Sequence, residues 1–412
     1  VNVELHINNS PNPSERFLTW APSPCRVRVS NPSGATSSSV VVKLSSVSLP
    51  GGGAVSFRAG VTGAFSTTLS LTVPVSGASV PFFCAGRFGN ASTAIGDVSI
   101  EARVGTAVVG SAPVMVRIRK NANLLTTAER DRFVSAFAQL NNQGLGRFTD
   151  FRNMHVSASS PEAHGGAGFL PWHRAYLLDL ERELQAIDSS VALPYWRFDQ
   201  VAPNLFTPDF IGQANASGAV QFSSSNPLRF WKTDGVVGFD RLPSFNTVTQ
   251  SPTLLSEAQT LALGASPTGN HTYRNFRILE GNPHGSAHVS FDGPIDSIPT
   301  AARDPLFFLL HCNVDRLWAK WQIAQQRFDP ALADSYDERP TNRIGHHLGD
   351  TMWPWNGVVT PPRPTTAPGG SLAGSTITSS PGSAPRVRDM IDYQGRVSGS
   401  NLGFSYDDVR FA

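Results

Sequence analysis

Residues 304–322 read DPLFFLLHCNVDRLWAKWQ. Asp304 followed by Pro305 is a helix start: an acidic N-cap, then a residue suited to the first turn. His311 stands at the heart of the apolar stretch, and His311, Asp315 and Trp318 fall on adjacent turns of the predicted helix. A second stretch, HGGAGFLPWHRAYLLDLERELQ (164–185), has the same character. Its helix is predicted to begin at Pro171. His173, Tyr176, Leu177, Leu180 and Leu184 share one face, and Asp179, Arg182 and Glu183 lie largely away from it. Upstream, Thr126 and Glu129 make a capping box ahead of ERDRFVSAFAQLNN, where Phe133, Phe137 and Leu140 recur at helical spacing. The run FTDFRNMH puts Phe148, Phe151 and His155 on one side. Residues 120–330 are therefore expected to be mainly helical, with long irregular stretches around 200–275.

The flanks differ. Residues 1–118 read as all-β, with short alternating runs at Val1–Ile7, Arg26–Val29, Val40–Leu49, Val55–Arg58, Thr67–Val75, Val80–Cys84, Val98–Val104 and Val114–Ile118. Gly, Pro, Ser and Asn separate them at intervals typical of a sandwich. Cys25 and Cys84 fall where an inter-sheet bridge of an immunoglobulin-like sandwich would lie. The alternative is two small buried apolar residues. No Trp lies between them, so immunoglobulin kinship is not supported. Past residue 328 the chain turns Pro- and Gly-rich, with PPRPTTAPGGSLAGSTITSSPGSAP over 361–385, which reads as an extended belt.

The chain has 412 residues, room for two or three domains, and a formal net charge of +2. That balance gives no reason to expect nucleic acid. No apolar run reaches the roughly 18 residues that span a bilayer, so no membrane association is expected. The start, VNVELHINN, lacks the charged head and apolar stretch of a signal peptide, and both secreted and cytoplasmic locations stay open. Three cysteines are too few for a disulfide scaffold.

Six of the ten histidines form two sets of three. His155, His164 and His173 are spaced by nine; His284 and His288 stand one helical turn apart and join His311. A lone histidine on a core face is usually a hydrogen-bonded core residue, and His284 with His288 could be a surface pair. Yet His173 and His311 both sit on apolar helix faces, and a buried imidazole costs free energy unless its nitrogens find partners. One metal cluster would satisfy all six. All-imidazole sites suit copper, zinc, iron or nickel, and the lack of a carboxylate ligand argues against magnesium and calcium. A three-histidine zinc site remains open on chemistry alone. Two such trios in a helical region fit a dinuclear centre built between facing helices.

At this point a resemblance becomes specific. Segments 164–185 and 304–322 resemble the two copper signatures of the type-3 copper family of tyrosinases, catechol oxidases (polyphenol oxidases) and molluscan haemocyanins. LEGNPHGSAH (279–288) is similar to the start of that family's second copper site. The resemblance covers about 125–330. It implies a four-helix-bundle copper domain over 119–412, preceded by the all-β sandwich-like domain 1–118. It also implies two copper ions that bind O2 as a bridging peroxide, the first on His155, His164 and His173 and the second on His284, His288 and His311. The tail 386–408 resembles the end of the family's catalytic domain, with Phe404 and Tyr406 at an aromatic-x-Tyr motif.

The resemblance also assigns surroundings. Glu280 is expected to hold a water that acts as base, and Gly285 stands where strong monophenolases carry Asn. Ile298, thirteen residues before His311, is the expected gate, and Val289 lines the entrance. Phe307 is expected to pack on the ligand rings, and Asp315 to support them or anchor its helix. Glu162 replaces the Cys that forms a thioether in many relatives, and Leu310 replaces the first of two consecutive histidines. The remaining histidines, His6, His271, His346 and His347, match no ligand position. The expected activity is oxidation of small o-diphenols to o-quinones by O2, with monophenol hydroxylation less favoured because of Gly285. An o-aminophenol oxidase and a haemocyanin-like oxygen carrier are the alternatives. A copper-delivery protein is a further candidate partner. The β domain is expected to pack near the substrate entrance.

Overall fold

The computed structural model describes residues 1–144, 146–243, 254–339, 344–357 and 370–411. Part of the expected belt, 361–369, lies outside the described residues. The chain divides into two compact units: Val1–Ile118 with Ser375–Ser379 and Ser400–Ala412, and Arg119–Gly374 with Ser380–Gly399.

The first unit is built of two sheets. One has the order β1 (Asn2–His6), β3 (Ser23–Asn31), β7 (Val80–Gly86), β5 (Val55–Arg58). The other runs β2 (Phe17–Leu18), β9 (Ala107–Val116), β8 (Val98–Val104), β4 (Ser39–Ser48), β6 (Thr68–Pro74). Period-2 alternation makes each sheet two-faced. On β3, Cys25, Val27 and Val29 are buried while Arg26 and Arg28 are exposed. Val42, Leu44, Phe57, Val73, Phe82, Ile100 and Val114 join them in one core drawn from both sheets.

Two expectations need correcting here. Cys25 and Cys84 do not bridge two sheets. They lie on neighbouring strands of one sheet, since Cys25 stands opposite Phe82 and Ser23 opposite Cys84. Both are buried free thiols, with their sulfurs 3.2 Å apart. The tail is also divided. Residues 386–399 belong to the helical unit, whereas 400–412, with Phe404 and Tyr406, belong to the β unit. There the Trp20 indole N–H donates to the Tyr406 carbonyl at 2.8 Å.

The second unit holds α1 (Thr127–Asn141), α2 (Phe148–Met154), α3 (Ser160–Ala163), α4 (Phe169–Ile187), α5 (Glu257–Ala262), α6 (Tyr273–Phe276), α7 (Ser286–His288) and α8 (Leu306–Ala324). The Thr126–Glu129 capping box opens α1 as read. Helix α4 begins two residues before Pro171, which is tolerated because Pro still sits in the first turn, where N–H groups lack intrahelical partners. Asp304 accepts the Leu306 N–H at 2.8 Å and forms a two-pronged ion pair with buried Arg241.

Helices α4 and α8 pack together, and α4 is buried on every side. This corrects the solvent face expected from Asp179, Arg182 and Glu183, all of which are buried. The Asp179 carboxylate accepts the Trp355 indole N–H and the Ala373 N–H, each at 2.8 Å. Arg182 donates to the Ala373 and Ser380 carbonyls. Burial raises the Asp179 carboxyl to about 6.

Asp315 joins the two helices. It pairs with Arg174 at 2.5 Å and Arg119 at 3.3 Å, and Arg119 also holds Glu181 at 2.8 Å. The Arg174 guanidinium lies 3.7 Å from the Trp318 ring centre. Removing one partner of such a network strands buried charge. Asp315→Ala is expected to cost about 3–5 kcal/mol of stability in chemical denaturation. A loss below about 1 kcal/mol, the value of an exposed pair, would contradict this account.

Candidate metal centre

Each of the six histidines reaches the centre by a different local route. His155 follows the last residue of α2, and His164 follows α3 in extended conformation (φ −134°, ψ 158°). His173 sits in the second turn of α4. His284 lies in the wide turn Gly281–Gly285, entered through a non-helical Asn282 (φ −147°, ψ 122°), and His288 ends α7. His311 is fully buried in α8. The candidate donor atoms of each trio lie within 4.8 Å of one another. The trios face one another, with the His173 and His311 rings stacked at 4.2 Å between centroids and 10° between planes.

Backbone carbonyls fix how the rings present themselves. Nδ1–H of His173 donates to the Phe169 carbonyl at 2.8 Å, and that of His284 to the Glu280 carbonyl at 2.7 Å. His155 donates to Ile298 at 2.9 Å and His288 to Ile295 at 2.7 Å. A neutral imidazole has one proton, so in these four rings Nε2 is left as a bare lone pair. Yet His155 Nε2 stands 2.9 Å from His164 Nε2, and His284 and His288 Nε2 each stand 3.2 Å from His311 Nε2. His173 Nε2 is buried with no hydrogen-bond partner among the described residues. Lone pairs crowded this way need a shared cation, and the donor set therefore fits a metal in each trio.

Electrostatics agree. Burial first, and the neighbouring imidazoles second, push His155, His173 and His311 well below the ordinary histidine range. His284 is lowered for the same reasons. Burial takes His288 down to about 4. All five are neutral at neutral pH, the form that binds metal.

The surroundings fall around a cavity of about 190 Å³ lined by His155, His164, Glu280, His284, Gly285, His288, Val289, Asp296, Ile298 and Ala301. Glu280 is engaged inward: its Oε1 accepts the Gly165 N–H at 2.7 Å and lies 3.3 Å from His164 Nδ1. Glu162 faces elsewhere and accepts the Trp353 N–H at 2.9 Å. A Cβ on Gly285 would meet the Glu280 carbonyl at 3.3 Å. Val289 and Ile298 are exposed at the mouth. The Phe307 ring lies 4.3 Å from that of His311 and 4.6 Å from that of His155, touching both trios. Asp315 is not among the cavity residues and binds the arginines described above. His6, His271, His346 and His347 join no metal-competent group among the described residues. Two features escaped sequence reading: the carbonyl ties from Ile295 and Ile298, and Asp296 between them. The local sequence carries no signal for either.

Residues 145–324 match the family model described as the common central domain of tyrosinase. The chain is 35% identical over 269 residues to a tyrosinase of Streptomyces glaucescens, covering 58% of this chain and 92% of that protein. It is 31% identical over 297 residues to grixazone synthase of Streptomyces griseus, covering 59% and 94%. Among solved structures, deoxygenated hemocyanin from Rapana thomasiana aligns with a TM-score of 0.48 at 21% identity, over 71% of this chain and 70% of that one. The chain belongs to the tyrosinase family. That family carries a dinuclear copper centre, so the cofactor is a pair of copper ions, which the two histidine trios can hold. Membership makes the chain a copper-dependent phenol oxidase. No described helix is long and apolar enough to cross a membrane.

A stability test follows from the depressed histidines. Below about pH 6.5 the unfolded chain takes up protons that the folded metal-free site refuses, so stability falls as pH drops towards the folded values. His288 alone accounts for on the order of 3 kcal/mol across that window. Asp179, raised to about 6, and Asp389, also raised by burial, act in the opposite sense, two groups against five. The melting temperature of metal-free protein is expected to be level above about pH 6.5 and to fall steadily down to about pH 4. A level profile across that window would contradict the assignment.

Proposed function

We propose that this protein oxidises o-diphenols to o-quinones with O2, and hydroxylates monophenols less readily. The observation that carries this is the pair of facing imidazole trios opening on a one-ring cavity. A cavity of roughly 150 Å³ accommodates benzene, and this one measures about 190 Å³. In this reading α2, α4, the 281–288 segment and α8 form the four-helix copper frame, and residues 1–118 are a separate sandwich-like domain.

A copper pair held by His155, His164 and His173 and by His284, His288 and His311 would supply the electron transfer between ring and O2. The rest is the work of the chain. Val289 and Ile298 guide the ring past an apolar rim, and Phe307 excludes water behind the imidazoles. Each diphenol gives up two electrons and two protons, so two diphenols consume one O2 and yield two quinones and two waters. A monophenol must first lose its proton. Glu280 is the base: Oε1 is held by Gly165, and Oε2 can take the proton through one water. The same carboxylate orients His164, a task that a thioether performs in relatives with Cys in place of Glu162. Gly285 has no side chain to hold that water, which favours diphenols over monophenols.

Oxygen uptake by copper-loaded protein is the test, with 4-tert-butylcatechol, tyramine and o-aminophenol as substrates. Sustained uptake with the catechol is expected, and His164→Ala or His311→Ala should abolish it. Reversible oxygen-dependent absorbance without turnover would replace this reading with an oxygen carrier, and uptake with o-aminophenol alone would shift the substrate. Glu280→Gln keeps an acceptor for Gly165 but loses the base. It is expected to slow tyramine hydroxylation by about 100-fold, towards the low end for loss of a general base, and catechol oxidation far less. Equal losses on both substrates would contradict the base assignment.

A further inference from the structure

One charged residue at the cavity mouth has no part in the chemistry above. Asp296 ends the short turn Pro294–Asp296 and lines the cavity alongside four of the imidazoles. It is exposed, and among the described residues no side chain pairs with its carboxylate. Its place is nevertheless fixed. The carbonyl of Ile295 holds His288 at 2.7 Å, and that of Ile298 holds His155 at 2.9 Å. One short turn is thus tied to one ring of each trio, and Asp296 stands between the ties. Its own N–H donates to the Gly293 carbonyl at 3.2 Å.

Among the described residues the charge lining the cavity has one sign. The cavity lining contains no Lys or Arg among the described residues, and besides imidazoles its ionisable groups are Glu280 and Asp296. Glu280 is turned inward to Gly165 and His164. Arg303, on the next turn, is committed to Asp234 at 2.6 Å. A ring that offers its oxygens to the trios would carry its side chain towards the mouth, which Asp296 lines.

We propose that Asp296 sets substrate choice, favouring phenols and catechols whose side chain bears an ammonium group and disfavouring those bearing a carboxylate. This rests on the diphenol-oxidase reading. Attraction between an exposed carboxylate and an ammonium amounts to about 1.5- to 5-fold in binding and is weakened by salt.

The test compares kcat/KM for dopamine, 4-tert-butylcatechol and 3,4-dihydroxyphenylacetate, on copper-loaded wild type and Asp296→Asn. Each value is divided by that of the neutral catechol on the same protein. The substitution should lower the dopamine ratio and raise the carboxylate ratio, each by about 1.5- to 5-fold, and added salt should shrink the wild-type preference. A second readout needs no turnover: saturation-transfer NMR on the cuprous protein under nitrogen, with phenethylamine and phenylacetate. The amine should give the stronger signal in wild type, and the difference should level out in Asp296→Asn. Unchanged ratios, with the neutral catechol still oxidised, would overturn the role of Asp296. If wild type does not oxidise the neutral catechol, the oxidase reading fails instead, and the NMR ordering alone upholds or overturns Asp296.

Discussion

An imidazole has two nitrogens and, when neutral, one proton, and the architecture of this centre turns on where that proton is spent. In His173 and His284 it goes to the carbonyl four residues earlier in the chain, and in His155 and His288 to the carbonyls of Ile298 and Ile295. Each tie turns Nε2 inward as a lone pair. Burial keeps the rings uncharged, since an imidazolium would lose its hydration without gaining a counter-ion. The result is a set of converging donors that is costly alone and satisfied by metal. The frame that holds this cost in place is itself polar: Asp315, Arg174, Arg119 and Glu181 lock α4 to α8 beneath the site.

Much of this was legible in the sequence because the signals were local. The nine-residue spacing of His155, His164 and His173, the capping box at Thr126, and the Asp304-Pro305 helix start are short-range patterns with a direct physical meaning. What was not legible depended on partners far along the chain. Asp179 looked like a solvent-face residue because its cover, Trp355, comes from 176 residues away. Sequence leaves Cys25 and Cys84 open between an inter-sheet bridge and two small buried residues, and they are the latter, because spacing along the chain does not tell which strands become neighbours. Apart from Ile298, expected as the gate, the 295–298 turn carries no local signal, and only its return to His155 and His288 shows that it steadies both trios and sets Asp296 at the mouth.

These departures shape the functional reading. Glu162 faces away from the imidazoles, and it is the Glu280 carboxylate that stands 3.3 Å from His164 Nδ1 while remaining at the cavity wall. In the proposed reading one carboxylate serves both geometry and proton transfer. The rim, by contrast, is apolar apart from Asp296. In the proposed reading the buried trios set the ring chemistry, and the choice among rings is left to the mouth.

The central claim is that two trios, each complete, hold one copper apiece. Elemental analysis of protein reconstituted with cuprous ion and freed of excess metal tests it most directly. The account predicts two copper ions per chain. A single tightly held ion, or none, would contradict it.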